Sequence, residues 1–384
     1  MSNPLFPLLS AGLFCVVATV QGATAAPPDD AGIVAAIVQQ MERPLAPSTG
    51  TVRASTAADG SWTVELGSRL LADVRGPQIP AELDARLQAI RLAVMLQREQ
   101  QGAMPPSLEF RFNGHRLEHY FPSPPARPRA HNPLDEGASG VDVFISASHG
   151  WYLHGGTTWY LQRPLRNGMI EDLMTPQFAQ KFADALDGKK VRWAFSRSVE
   201  TALHPVAGKP WWQMAARYHA QALYPDRPDI WQSYADRSTP LREYNDDIRS
   251  RPLMANEVGA GVLVHLHTNA ADPLATGMMA FHQSGRSEDQ RLGHVLLCKM
   301  RDAIRQVPAY ADYRVRVQPS TGNFGENRLA LAPSILIELG FHTNPQDAAA
   351  LQDPQFQAAV AEGLREGYDA FQQGMGAGGE RVCQ

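Results

Sequence analysis

Hydrophobic positions change their rhythm three times along the chain. Leu5 to Val20 is an almost unbroken apolar run. From Gly50 to Ser55 and from Ser61 to Leu66, apolar and polar residues alternate on either side of Ala57-Ala58-Asp59-Gly60, a turn cluster that predicts a β-hairpin. Between Pro80 and Gln100, Leu83, Leu87, Ile90 and Val94 recur every three or four positions, the period of an amphipathic helix. Ser107–Phe112 and Leu117–Phe121 straddle Asn113-Gly114, which predicts a second hairpin. With a helical pattern over Gly32–Arg43, residues 30–121 read as a small α+β accessory domain without a catalytic constellation.

After Val141 short apolar runs alternate with helical ones. Val141–Ser146, Val191–Phe195, Val262–His267 and Ser334–Leu339 predict strands. Thr175–Leu186, Ser287–Arg305, Pro345–Leu351 and Pro354–Phe371 predict helices. Such alternation predicts an α/β fold, a mostly parallel twisted sheet flanked by helices. It is preceded by the accessory domain and a Pro/Arg-rich linker at 122–140, either a solvated spacer or a loop laid on the second domain. Residues 198–249 carry Trp211, Trp212, Tyr218, Tyr224, Trp231, Tyr234 and Tyr244; they read as a packed subdomain, a wall of a saccharide- or peptide-binding cleft, or a plug. Residues 373–384 read as a flexible tail.

Composition narrows the setting. A net charge of −4 over 384 residues argues against a nucleic-acid binder, which would show a basic patch. The Leu5–Val20 run ends in Ala23-Thr24-Ala25, a small-x-small site, so residues 1–25 read as a signal peptide, although no Lys or Arg precedes Arg43. The expectation is a periplasmic or secreted protein with no membrane span after leader removal. Cys298 and Cys383 would remain, free to pair in an oxidising compartment.

Four segments place a metal-capable or proton-transferring side chain at the end of an element. They contain His149, Glu171, the pair His265/His267, and Glu338. Ligand sites in open parallel sheets gather outside the carboxyl ends of the strands. Two His and one Glu are a common catalytic zinc set that leaves a position for water, and His149, Glu171 and His267 would supply it. Asp172 or His154 are alternatives for the carboxylate position. Glu338 interrupts an apolar strand, where an unpartnered carboxylate is costly, and would serve as the acid/base.

These segments resemble the zinc-dependent N-acetylmuramoyl-L-alanine amidases of family 3, bacterial cell-wall hydrolases. The run Glu338-Leu339-Gly340-Phe341-His342-Thr343-Asn344-Pro345-Gln346-Asp347 resembles Glu-x-Gly-Phe-x-Ser-Asn-Pro-x-Asp. His265-Leu266-His267-Thr268-Asn269-Ala270 resembles Ser-x-His-x-Asn-Ala, and Arg251 to Asn256 the preceding Arg-x-x-x-Ala-Asn. The chain departs from Asp-x-Gly-His-Gly-Gly with Ser146, Ser148 and Trp151, and carries His265 where the family has Ser. The resemblance spans about 141–372. It implies Zn2+ as cofactor, His149, Glu171 and His267 as its ligands, and Glu338 as catalytic acid/base. It implies cleavage between N-acetylmuramic acid and L-alanine in peptidoglycan, whose glycan strand and stem peptide would be the partners, with an activator protein as a further one. Arg163, Arg166 or Arg328 would hold stem-peptide carboxylates. The rivals are a zinc carboxypeptidase or N-formylglutamate-type deacylase and a non-catalytic wall-binding protein. A carboxypeptidase His-x-x-Glu is absent, because Tyr152 stands three after His149.

Overall fold

Two sheets with separate cores organise the chain. The computed structural model describes residues 140–377 almost throughout, residues 108–121, scattered positions between 53 and 94, and residues 382 and 383. The predicted leader, the Gly32–Arg43 helix and most of the 122–140 linker lie outside the described residues.

In the first sheet β1 (Arg53–Thr56) pairs antiparallel with β2 (Trp62–Leu66), as the turn cluster predicts. β2 then pairs parallel with β3 (Leu108–Phe112), which requires a crossover connection. Leu83, Leu87, Ile90 and Val94 lie on that connection, are helical, and are buried against Trp62, Val64, Leu66 and Phe112. Asn113 and Gly114 both take positive φ, 50° and 76°, and turn β3 into β4 (His115–Arg116). The second arm of this hairpin corrects the sequence reading. Leu117–Tyr120 is a helical turn and not a strand. Leu117 and Phe121 are both buried, and their four-residue spacing suits one face of a helix. This unit meets the second sheet at its edge, where Thr321 Oγ1 donates to the Leu108 carbonyl at 3.0 Å and the Arg91 guanidinium lies over the Phe110 and Phe281 rings.

The second sheet has six strands in the order β11-β10-β12-β9-β5-β8. They are β5 (Val143–Ala147), β8 (Trp193–Phe195), β9 (Val262–Asn269), β10 (Met279–His282), β11 (Ser320–Thr321) and β12 (Ser334–Phe341). Strands β8, β5, β9 and β12 are mutually parallel, and β10 runs antiparallel to β12. The hairpin β6 (Tyr152–His154) with β7 (Thr158–Tyr160) stands apart. Six helices matter here: α1 (Glu171–Asp187), α2 (Ala216–Leu223), α3 (Arg242–Glu257), α4 (Ser287–Arg305), α5 (Pro345–Gln352) and α6 (Pro354–Gln372).

Strand side chains alternate between faces, and both faces are covered. Val143, Ile145, Val264, Leu266, Ile335, Ile337 and Leu339 pack beneath α1, α4 and α6 with Phe178, Phe182, Leu296 and Leu364. Phe144 and Leu263 face the other way, toward Met254 and Ala255 of α3. No described helix is long and apolar enough to cross a membrane. The expected loose tail is also corrected: Val382 is buried and Cys383 forms a disulfide with Cys298 of α4, Cα to Cα 5.3 Å. A covalent anchor fixes what composition alone reads as free.

Candidate active site

The face turned toward α3 becomes polar at the carboxyl ends of the strands. Ser146, His267 and Glu338 are buried there, with His265 and Ser334 buried deeper on the same face. His267 and Glu338 are register partners across β9 and β12. His149 follows the end of β5, where Trp151 N–H donates to the Gln213 carbonyl at 2.8 Å and Ala215 N–H returns a bond to Trp151. Gly150 permits that approach, since a Cβ there would lie 2.7 Å from the backbone of residues 213–215.

Glu171 opens α1, four residues before the predicted start, so it is a helix residue and not a loop residue ahead of it. A carboxylate in the first turn suits the helix dipole. Pro176 lies inside the same helix and offers no N–H to the carbonyl of Asp172. The buried guanidinium of Arg197 donates to that carbonyl instead, at 2.8 Å, and also to the carbonyls of His149, Trp212 and Met214. One arginine thereby ties the start of α1, the end of β5 and the insertion together.

His149, Glu171 and His267 converge, with one potential donor atom from each lying within 4.8 Å of the others. His267 Nδ1 stands 3.1 Å from Glu171 Oε1, and Glu171 Oε2 accepts from Arg163 Nε at 3.1 Å. Burial opposes charge on Glu171, but the hydrogen bond with His267 and the charge of Arg163 hold its carboxyl well below the usual range. Burial, then Arg251, depresses His149 strongly, so its imidazole is neutral and able to act as a ligand. Glu338 is pushed far above the ordinary carboxylate range by burial and then by the charge of Glu171. Its Oε2 is buried without a hydrogen-bond partner.

The alternative ligands stay outside this cluster. His154 Nδ1 meets the Tyr152 hydroxyl at 3.3 Å. Asp172 Oδ2 accepts from Gln162 N–H at 2.6 Å, and burial followed by the Glu171 charge raises its pKa to about 7. His265 Nε2 pairs with Ser334 Oγ at 3.2 Å beneath the site. Of the arginines considered for substrate carboxylates, Arg163 engages Glu171 and Arg328 donates to Asn323.

Sequence reasoning quoted Arg251 and gave it no role. The structure places its fully buried guanidinium at the centre of the site. It approaches His149 Nδ1 at 3.0 Å and His267 Nε2 at 3.5 Å, while donating to Asp247 and to Glu326 Oε1. Two carboxylates stand on the same sides of these rings, Asp247 Oδ2 3.7 Å from His149 Nδ1 and Glu326 Oε1 3.8 Å from His267 Nε2. Tyr244 stacks on His149 with ring centroids 6.0 Å apart. The i,i+4 spacing of Asp247 and Arg251 is the one signal in the sequence for this cluster.

Two imidazoles and a carboxylate are a zinc-type donor set, and an unpartnered buried carboxylate beside them suits a water molecule there. The residues present therefore fit a metal ion. Much of the Glu338–Asp347 block does a different job: Asn344 caps α5, and Asp347 accepts from Thr276 Oγ1, Gly277 N–H and Phe341 N–H at 2.6–2.8 Å.

A buried His–Glu–His cluster that could hold a metal ion therefore lies at the strand ends of a mostly parallel sheet covered on both faces. The family model for N-acetylmuramoyl-L-alanine amidase matches residues 143–370, more than half of the sequence, and the chain belongs to that family. Similar solved structures include the N-acetylmuramoyl-L-alanine amidase AmiC2 of Nostoc punctiforme, at 18% identity and TM-score 0.39, covering 62% of this chain and 99% of that one. Ami1 from Mycobacterium smegmatis matches at 17% identity and TM-score 0.40, with 62% and 99% covered. The CwlD amidase from Clostridioides difficile, solved in complex with the GerS lipoprotein, matches at 14% identity and TM-score 0.40, with 61% and 98% covered. No curated protein matches the sequence.

Proposed function

We propose that the protein is a zinc-dependent amidase that hydrolyses the amide between N-acetylmuramic acid and L-alanine in peptidoglycan, outside the cytoplasm. The observation that carries the reading is the convergence of His149, Glu171 and His267 beside a buried Glu338, in a chain of this family. Zinc bound there would supply a Lewis acid for the amide carbonyl and for the attacking water. Asp247 and Glu326, both held by Arg251, stand 3.7 Å from His149 Nδ1 and 3.8 Å from His267 Nε2 and would accept the ring N–H of a metal-bound imidazole, as carboxylates do in metal sites generally. Arg163 holds the far oxygen of Glu171. A cation bound beside Glu338 would favour its ionised form, in which it takes the proton of the water as it attacks and returns it to the departing L-alanine nitrogen. The Cys298–Cys383 disulfide supports an oxidising compartment. Digestion of purified peptidoglycan tests the proposal. Stem peptides with a free L-alanine amino terminus should appear, should cease after chelation, and should return with zinc. Cleavage elsewhere in the stem, or release indifferent to chelation, would contradict it.

A further inference from the structure

The aromatic insertion and the β6–β7 hairpin border an open pocket, of about 390 Å³, that the hydrolytic chemistry does not use. That volume lies within the range of ordinary ligand pockets. Trp159, Trp211, Tyr218 and His204 form its aromatic wall, with neighbouring ring centroids 4.6–6.0 Å apart. Arg217 and Glu243 complete it.

Its polar groups are set for an uncharged ligand. Arg217 and Glu243 pair at 3.0 Å, and Glu243 also accepts from Leu153 N–H and the Tyr218 hydroxyl. With these charges spent on each other, a charged guest would have no counter-ion. Two donors nevertheless remain. Arg217 Nε has no hydrogen-bond partner. His204 is 8% exposed, and its Nδ1 accepts from Ala207 N–H at 3.1 Å. The proton therefore sits on Nε2, which has no partner among the described residues. Burial keeps this imidazole neutral.

The cavity also lies near the His149–Glu171–His267 cluster. Glu243, Asp247 and Arg251 follow one another at i,i+4 on α3, so the cavity wall lies two helical turns, about 12 Å, from the arginine that touches both imidazoles. A ligand with apolar C–H faces, a rim of hydroxyls and no charge matches flat aromatic walls, unspent donors and a neutralised ion pair. We propose that this cavity is a subsite for a neutral N-acetylated pyranose, engaging the glycan strand at a distance from the scissile amide. This rests on the peptidoglycan reading for its source of sugar. A stem peptide, which carries carboxylates, suits the neutral cavity less well.

The test uses the purified full chain and tetra-N-acetylchitotetraose, a glycan with no peptide amide, followed by tryptophan fluorescence and calorimetry. Binding should be saturable. Trp211→Ala, and separately Ala222→Trp, which places bulk at the exposed rim, should each weaken it by about tenfold or more. Both variants should raise KM for sacculi and leave kcat unchanged, with thermal melting as the control for folding. Saturable binding in an enzyme that releases no stem peptide would support the subsite while contradicting the amidase reading. An active enzyme that does not bind the oligosaccharide, or binds it equally in both variants, would overturn the subsite alone. Trp211-dependent binding of a free stem tetrapeptide in place of the sugar would overturn it as well.

Discussion

The two faces of the six-stranded sheet are built from the same strands and differ by one residue of register. On one face Ile145, Val264, Leu266 and Ile337 join an apolar core beneath α1, α4 and α6. On the other Ser146, His265, His267 and Glu338 stand at neighbouring positions, also buried, under α3. The first face contributes stability through area removed from water. The second spends stability, because each buried polar group must be matched by a partner. The polar face is tolerated because Arg251 pairs with Asp247 and Glu326 and reaches His149 and His267. Chemistry and folding are therefore separable by side-chain parity along a strand.

Substitutions on the two faces should separate these roles. The largest effect is expected at a ligand: His149→Ala or Glu171→Gln should abolish both zinc retention and amidase activity, measured by metal analysis beside stem-peptide release. A folded, fully active His149→Ala would break the comparison at its centre. Arg251→Met should lower stability by about 3–5 kcal/mol, since it leaves two buried carboxylates unpaired. Urea unfolding measures this, and Met at 251 should also weaken zinc binding, which a merely structural cation would not. Across the sheet, Ile337→Ala should cost about 2–5 kcal/mol through the cavity it leaves. Activity per folded molecule should be unchanged at low temperature.

The smallest effect concerns a carboxyl under the sheet. Asp289 of α4 accepts from Ser334 N–H at 3.1 Å, and burial raises its pKa from 3.8 to about 7. A raised folded pKa means that the native state holds the proton longer than the unfolded chain does. The stability it confers is complete below about pH 4 and declines as pH rises through about 7. Asp289→Asn keeps an acceptor for Ser334, so the melting temperature of the variant should fall less than that of the wild type between those limits. Parallel curves would contradict the assignment.

The sheet was legible because its strands are short apolar runs with breaks on both sides, and Ser287–Arg305 is predicted to the residue. Leu117–Phe121 was misread because it follows a hairpin turn, although its two buried residues are four apart. His149, Glu171, His267 and Glu338 could be picked out because each interrupts an apolar context or sits at an element end. Arg251, Asp247, Glu326 and Arg197 could not be assigned roles from local pattern. Their partners lie up to 102 residues away and depend on where α3 crosses the sheet. The cavity of the insertion was foreshadowed by aromatic density, but packing alone decides that those rings leave a space.

The most direct test of the account is a comparison of the wild-type protein with Glu338→Gln, both loaded with zinc, on purified peptidoglycan. Products are read by mass spectrometry. Glutamine keeps the shape and loses the ability to carry the proton, so the variant should retain its zinc and its melting temperature while stem-peptide release falls by about 10²–10⁴-fold. Equal release by the two proteins would contradict the role assigned to Glu338.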